Sequence, residues 1–128
     1  MNRTELEKHI SESYGVSAEY PFGDSSTPVF RHIDNRKWFA IMINIPKSKL
    51  IPGAVGNVDI VNLKCDPILS STLIGENGIF PAYHMNKTHW IAVILDDSTD
   101  DSMVKWLLGI SYDLTKKKSS RGKNETRT

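Results

Sequence analysis

The chain has one cysteine, Cys65, among its 128 residues, so it can form no disulfide within itself. Its longest apolar runs, Trp38–Ile43 and Trp90–Leu95, are six residues each, whereas a membrane-spanning helix needs about 20. The first residues, MNRTELEKHI, lack the apolar centre of a secretory signal. Internal repeats are absent, as are a glycine-rich phosphate loop, a nucleophile elbow and a recognisable Cys–His arrangement. These gaps argue against a membrane span, an exported disulfide scaffold and the common hydrolase and nucleotide-hydrolysing chemistries. The expectation is a cytoplasmic protein that is not an enzyme.

Hydrophobic residues make up 39% and charged residues 24%, a globular balance. A chain of this length can bury roughly two thirds of its unfolded surface as one domain. The formal net charge of +1 is unevenly distributed. Residues 1–28 carry two basic and five acidic side chains; residues 29–95 carry seven and four. Residues 96–115 set Lys105 against five aspartates, and residues 116–128 set six basic groups against Glu125. The body, 1–115, is therefore acidic at −4, with its basic excess confined to the middle, and a basic tail, 116–128, is expected to be disordered.

Periodicity predicts the elements. Leu6, Ile10 and Tyr14 share one helical face over residues 3–14, Gly15 is placed to end that helix, and Thr4 with Glu7 reads as its capping box. Val29–Ile33 and Lys37–Ile45 read as strands joined by Asp34-Asn35-Arg36, with Phe39, Ile41, Ile43 and Ile45 as the core face of the second. Residues 46–57 read as loop and Val58–Lys64 as a third strand. Asp66-Pro67 has the form of a helix start, with Asp as cap and Pro at the first position, for a helix running to about Ile74. Trp90–Leu95 is a fourth strand, and Met103, Trp106, Leu107, Ile110 and Leu114 mark a helix over about 99–116, with Ser98 and Asp101 as a second capping box. The economical arrangement is α+β: an antiparallel sheet packed on one face by the N- and C-terminal helices.

Four short patterns occur in order: Tyr20-Pro21-Phe22-Gly23, Asn62-Leu63-Lys64-Cys65-Asp66-Pro67, Pro81-Ala82-Tyr83-His84-Met85-Asn86-Lys87-Thr88-His89-Trp90 and Ser111-Tyr112-Asp113-Leu114. Together they resemble the MmcQ/YjbR family of small bacterial proteins, over nearly residues 1–116. The resemblance implies a twisted antiparallel sheet against two helices, similar to the bacterial frataxin homologue, and carries the family's DNA-binding label. Two departures are visible: the 46–57 loop is longer than usual after the second strand, and the basic tail is an addition.

Two functional readings follow. In the first, nucleic acid meets the sheet side and the tail through Arg31, Arg36, Lys37, Lys64, His84, Asn86, Lys87 and His89, with Tyr83 or Trp90 stacking on a base. In the second, Tyr20, Phe22, Tyr83, His84 and Trp90 line a pocket for a protein or small ligand. An ordinary structural account has Tyr83 and Trp90 packing into the domain, with His84 and His89 serving backbone groups where loop becomes strand. The four histidines and Cys65 match no zinc spacing, and no metal or cofactor is expected. Glu5, Glu12, Asp97, Asp100 and Asp101 form an acidic helical ridge that solvation and helix dipoles explain. Cys65, beside Asp66, is poorly placed for a thiolate. A monomer that binds DNA in a salt-dependent manner is the leading expectation.

Overall fold

A computed structural model describes residues 1–23 and 25–117; the tail beyond Lys117 lies outside the described residues. The element order is α1 (Arg3–Tyr14), β1 (Val29–Arg31), β2 (Trp38–Pro46), β3 (Asn57–Lys64), α2 (Pro67–Leu73), β4 (Ile79–Pro81), β5 (Trp90–Ile94) and α3 (Asp101–Thr115), with a 3-10 turn at Lys47–Lys49. The strands form one sheet in the order β1-β2-β3-β5-β4, and every neighbouring pair is antiparallel. The α+β arrangement read from the pattern is therefore the observed one. Among the described residues no helix is long and apolar enough to cross a membrane.

Alternation along the strands divides the core in two. One face of the sheet presents Ala40, Met42, Val61, Leu63, Ile91, Val93 and Ile79 to Leu6 and Ile10 of α1 and Val104, Leu107 and Leu108 of α3. The other face presents Ile45, Val58, Ile60, Ala92 and Ile94, and is covered by Leu50, Phe80 and Tyr83 from loops and an edge strand. The expected core face of β2 needs correction here. Ile41, Ile43 and Ile45 lie on the face without helices, whereas Phe39 lies on the helix face beside Ala40. A β-bulge is the cause: Phe30 pairs with Ala40 but Arg31 pairs with Trp38, so Phe39 is the extra residue and two consecutive side chains point the same way.

The bulge leaves backbone groups without ladder partners, and Ser111 of α3 supplies them. Its fully buried hydroxyl donates to the Phe39 carbonyl at 2.6 Å and accepts from the Lys64 amide at 2.8 Å. One turn later Thr115 contacts Nε2 of buried His32 at 2.9 Å, and the side-chain Nδ2 of Asn35 in the β1–β2 turn donates to the Thr115 carbonyl. Tyr112 fills the space between, with ring centroids 4.3 Å from His32, 4.5 Å from Tyr14 and 5.0 Å from Phe39.

Helix ends differ from expectation in detail. The capping box of α1 is Asn2 with Glu5, because Arg3 is already the first helical residue and Thr4 falls inside the helix. Gly15 ends α1 in the left-handed region, donating to the Ser11 carbonyl. Asp66 caps α2 as read, accepting from Ile68 and Leu69. At α3 the Ser98–Asp101 box is absent. Ser98 turns back onto Asp96, and Asp101 pairs with the N-terminal ammonium at 2.8 Å, as does Asp97 at 3.0 Å. The short strand β4 has no counterpart in the sequence reading. It spans three residues and ends in proline, too little for alternation to register.

Removing the Ser111 hydroxyl strands a buried carbonyl and a buried amide. Ser111→Ala is expected to cost about 2–4 kcal/mol in urea unfolding, while the exposed Ser71→Ala stays within about 0.5 kcal/mol of the parent. Equal effects of the two substitutions would overturn this account of the bulge.

Candidate functional site

The four sequence patterns, distant along the chain, converge at the end of the sheet where β2 and β5 begin and β3 and β4 finish. Asn62 is the hub. It sits on central strand β3 with no exposure to solvent, on the face without helices. Its carboxamide pairs with Tyr83 as another strand would, donating to the Tyr83 carbonyl at 2.8 Å and accepting from the Tyr83 amide at 3.2 Å. The Cys65 amide donates to the His89 carbonyl at 2.8 Å, so the far end of the Pro81–Trp90 segment is held too. Between these anchors Asn86 makes a local turn, its side-chain oxygen accepting from the Thr88 and His89 amides. His84 adopts a left-handed backbone at φ 60°, a conformation uncommon outside glycine, and its ring lies 4.0 Å from that of Tyr83.

The neighbouring surface is aromatic and basic. Lys64 and Trp90 are directly paired on β3 and β5, and the Lys64 ammonium lies over the indole at 5.6 Å. Trp38, at the start of β2, meets Phe22 edge-on at 5.7 Å. Phe22 is 54% exposed and Tyr20 43%, while Trp38, Tyr83 and Trp90 are half-buried. The structural account of Tyr83 and Trp90 thus holds in part, since both rest against the sheet and both keep an open side.

Of the residues expected to meet nucleic acid, Arg31 and Arg36 converge on one carboxylate oxygen of Glu19, each at 3.1 Å. Their charge is partly compensated within the protein. Lys37, His84, Asn86, Lys87 and His89 are exposed and Lys64 is half-buried. Among the described residues no carboxylate lies within ion-pair distance of Lys37, Lys49, Lys64 or Lys87. Of the residues expected to line a pocket, Phe22 pairs with Trp38 and Tyr83 with His84. The groove that Tyr83 does line, of about 340 Å³, is completed by Lys49, Leu50, Phe80, Pro81, Ala82 and Lys87, without Tyr20, Phe22, His84 or Trp90.

The sequence reading missed Lys49, Leu50 and Phe80 as site residues, and it missed the role of Asn62. An asparagine amid the apolar run Val61-Asn62-Leu63 is itself a signal, since a buried amide needs partners that an apolar strand cannot give. Nothing in the local pattern could have brought residue 50 beside residue 80.

Among the described residues no group of three or more His, Cys, Asp and Glu side chains is arranged to hold a metal. Cys65 is 2% exposed; burial pushes its thiol pKa up, and the Asp66 carboxylate adds to the shift.

The fold and this surface define a small α+β domain with a helix-backed antiparallel sheet whose other face is partly roofed by loops. The family model YjbR matches residues 11–114, and the chain belongs to the YjbR family. YyaQ of Bacillus subtilis is 36% identical over 117 residues, covering 91% of this chain and 99% of the relative. YjbR of Escherichia coli is 39% identical over 59 residues, covering 45% of this chain and 50% of that protein. A crystal structure of a Pseudomonas syringae protein superimposes with a TM-score of 0.87 at 36% identity, covering 91% of this chain and 100% of that one. The Deinococcus radiodurans protein DR2400 superimposes at 0.69 with 26% identity, covering 97% of this chain and 86% of that one.

The buried, raised Cys65 thiol predicts slow alkylation. Iodoacetamide at pH 8 should react with the folded protein on the order of 100-fold more slowly than with the urea-unfolded chain. Comparable rates would contradict the burial described.

Proposed function

We propose that this chain is a nucleic-acid-binding domain, with DNA as the first candidate, that acts as a monomer and without catalysis. The observation that supports this most is the segregation of charge and aromatic surface between the two faces of the sheet. On the helix side Glu5, Glu7, Glu12, Asp100, Asp101 and Asp113 outnumber Arg3, Lys8, Lys105 and Lys116. On the loop-covered face and its adjoining turns stand Lys37, Lys49, Lys64 and Lys87, with the half-buried rings of Trp38, Tyr83 and Trp90.

Cations that no protein carboxylate engages can displace counterions from phosphates, which is the main source of sequence-tolerant affinity. Rings fixed against a sheet offer π-faces that any base can use. Stable binders commonly neutralise about 6–10 phosphates, more than these four lysines supply. The remaining charge is available in residues 116–128, six basic groups against one acidic. In this reading the sheet face orients the nucleic acid and the tail adds affinity. His84, Asn86 and His89 border the contact. Arg31 and Arg36, shared with Glu19, contribute less than their number suggests.

Binding of labelled DNA should weaken with added salt, with a log–log slope of about −3 to −4 for residues 1–115 alone and a steeper slope for the full chain. Lys64→Ala and Trp90→Ala should each weaken binding several-fold without lowering the melting temperature by more than a few degrees. Absence of salt-dependent binding by both chain lengths at low ionic strength would sink the proposal.

A further inference from the structure

The groove of about 340 Å³ between the 46–57 loop and the Pro81–Trp90 segment differs from three other cavities among the described residues, each of which includes a carboxylate in its lining. Its lining includes Lys49 and Lys87 and no carboxylate. The comparable cavity beside α3 is lined by Glu76 and Asp100, and another near it by Glu76 and Asp97. The apolar part comes from Leu50, Phe80, Pro81, Ala82 and Tyr83. Two lysines beside an apolar, partly aromatic wall suit an amphipathic anion, a flat ring system that carries a phosphate. The volume lies at the lower end of the range for small-ligand sites, about 300–1,000 Å³, as expected for one nucleotide unit.

The groove also has a fixed relation to the Trp90–Lys64 pair. Phe80 pairs with Ala92, and Ala92 and Trp90 lie on the same face of β5, two residues apart. Strand geometry makes that separation about 6.8 Å. Bases stacked in a duplex strand rise only about 3.4 Å apart. Neighbouring bases lodged in the groove and on Trp90 would have to be spread and unstacked, with Tyr83 between them. A paired duplex cannot offer its bases in this way, whereas a single strand can.

We infer that the Lys49–Lys87 groove holds one unpaired nucleotide of a single-stranded nucleic acid whose neighbouring base rests on Trp90. This rests on the nucleic-acid reading above and specifies its substrate: a single strand, read through exposed bases, rather than a duplex read through its grooves. Both lysines are exposed and neither makes an ion pair with a described carboxylate, so replacing them should leave the fold intact.

The test uses the full chain, with fluorescein-labelled 12-nucleotide thymidine and uridine single strands and a 12-base-pair duplex in 50 mM salt. Anisotropy should give at least 10-fold tighter binding of a single strand than of the duplex, the two sugars reporting which backbone is favoured. Lys49→Gln with Lys87→Gln should weaken single-strand binding at least 10-fold and duplex binding by a clearly smaller factor, with an unchanged melting temperature. Adding thymidine or uridine monophosphate should shift the Phe80, Ala82 and Tyr83 amide resonances of the parent and not those of the double variant. Equal or tighter duplex binding, or an equal loss on both ligands, overturns the single-strand inference and leaves the general reading standing. Absence of binding to any of the three ligands overturns both.

Discussion

The arrangement at the end of this domain where the four sequence patterns meet depends on one side chain, the carboxamide of Asn62. A fully buried amide on the central strand would destabilise the fold if left unpaired, at a cost of about 1–3 kcal/mol per stranded group. Here its donor and its acceptor are both satisfied by the backbone of Tyr83. That pairing lays the Pro81–Trp90 segment across the sheet face that the helices leave uncovered. Once Tyr83 is held, the positions of His84, Asn86 and Lys87 follow over a short tether, closed at its far end by the contact of the Cys65 amide with the His89 carbonyl. Tyr83 then divides the surface into the Trp90–Lys64 platform on one side and the Lys49–Lys87 groove on the other.

A second constraint acts on the opposite face. The bulge at Phe39 turns two consecutive side chains toward the helices and interrupts the β2–β3 ladder near Lys64. Ser111 closes the interruption from α3, so the helix is keyed to the sheet by a hydroxyl as well as by apolar packing. With Lys64 fixed through its own amide, its side chain lies over Trp90 on the other face. The sheet thus transmits the placement of a C-terminal helix residue to a surface lysine.

Much of this architecture was legible in the sequence, for physical reasons that can be named. Helix α1 announced itself through Leu6 and Ile10 at helical spacing, and Asp66-Pro67 through cap chemistry, both purely local signals. The bulge escaped notice because one extra residue inverts the alternation on which face assignment rests, and Phe39 is as apolar as its neighbours. The α1 cap was misplaced because Thr4-Glu7 and Asn2-Glu5 both satisfy the spacing, and only the first helical residue decides between them. The Pro81–Trp90 string stands out in the sequence as a pattern of the family. Its meaning, however, lay in a hydrogen bond to a residue 21 positions away, and the groove it borders depends on a loop still farther off. Charge was legible as a count along the chain; the sharing of Glu19 between Arg31 and Arg36 was not.

The central claim is that an Asn62-anchored segment forms an ordered, preorganised surface rather than a flexible loop. Backbone amide order parameters from 15N relaxation test it most directly. For residues 83–89 of the parent protein they should reach about 0.8, close to those of rigid backbone, and fall clearly in Asn62→Ala while the helices stay unchanged. Values below about 0.6 across the segment in the parent protein would contradict the account.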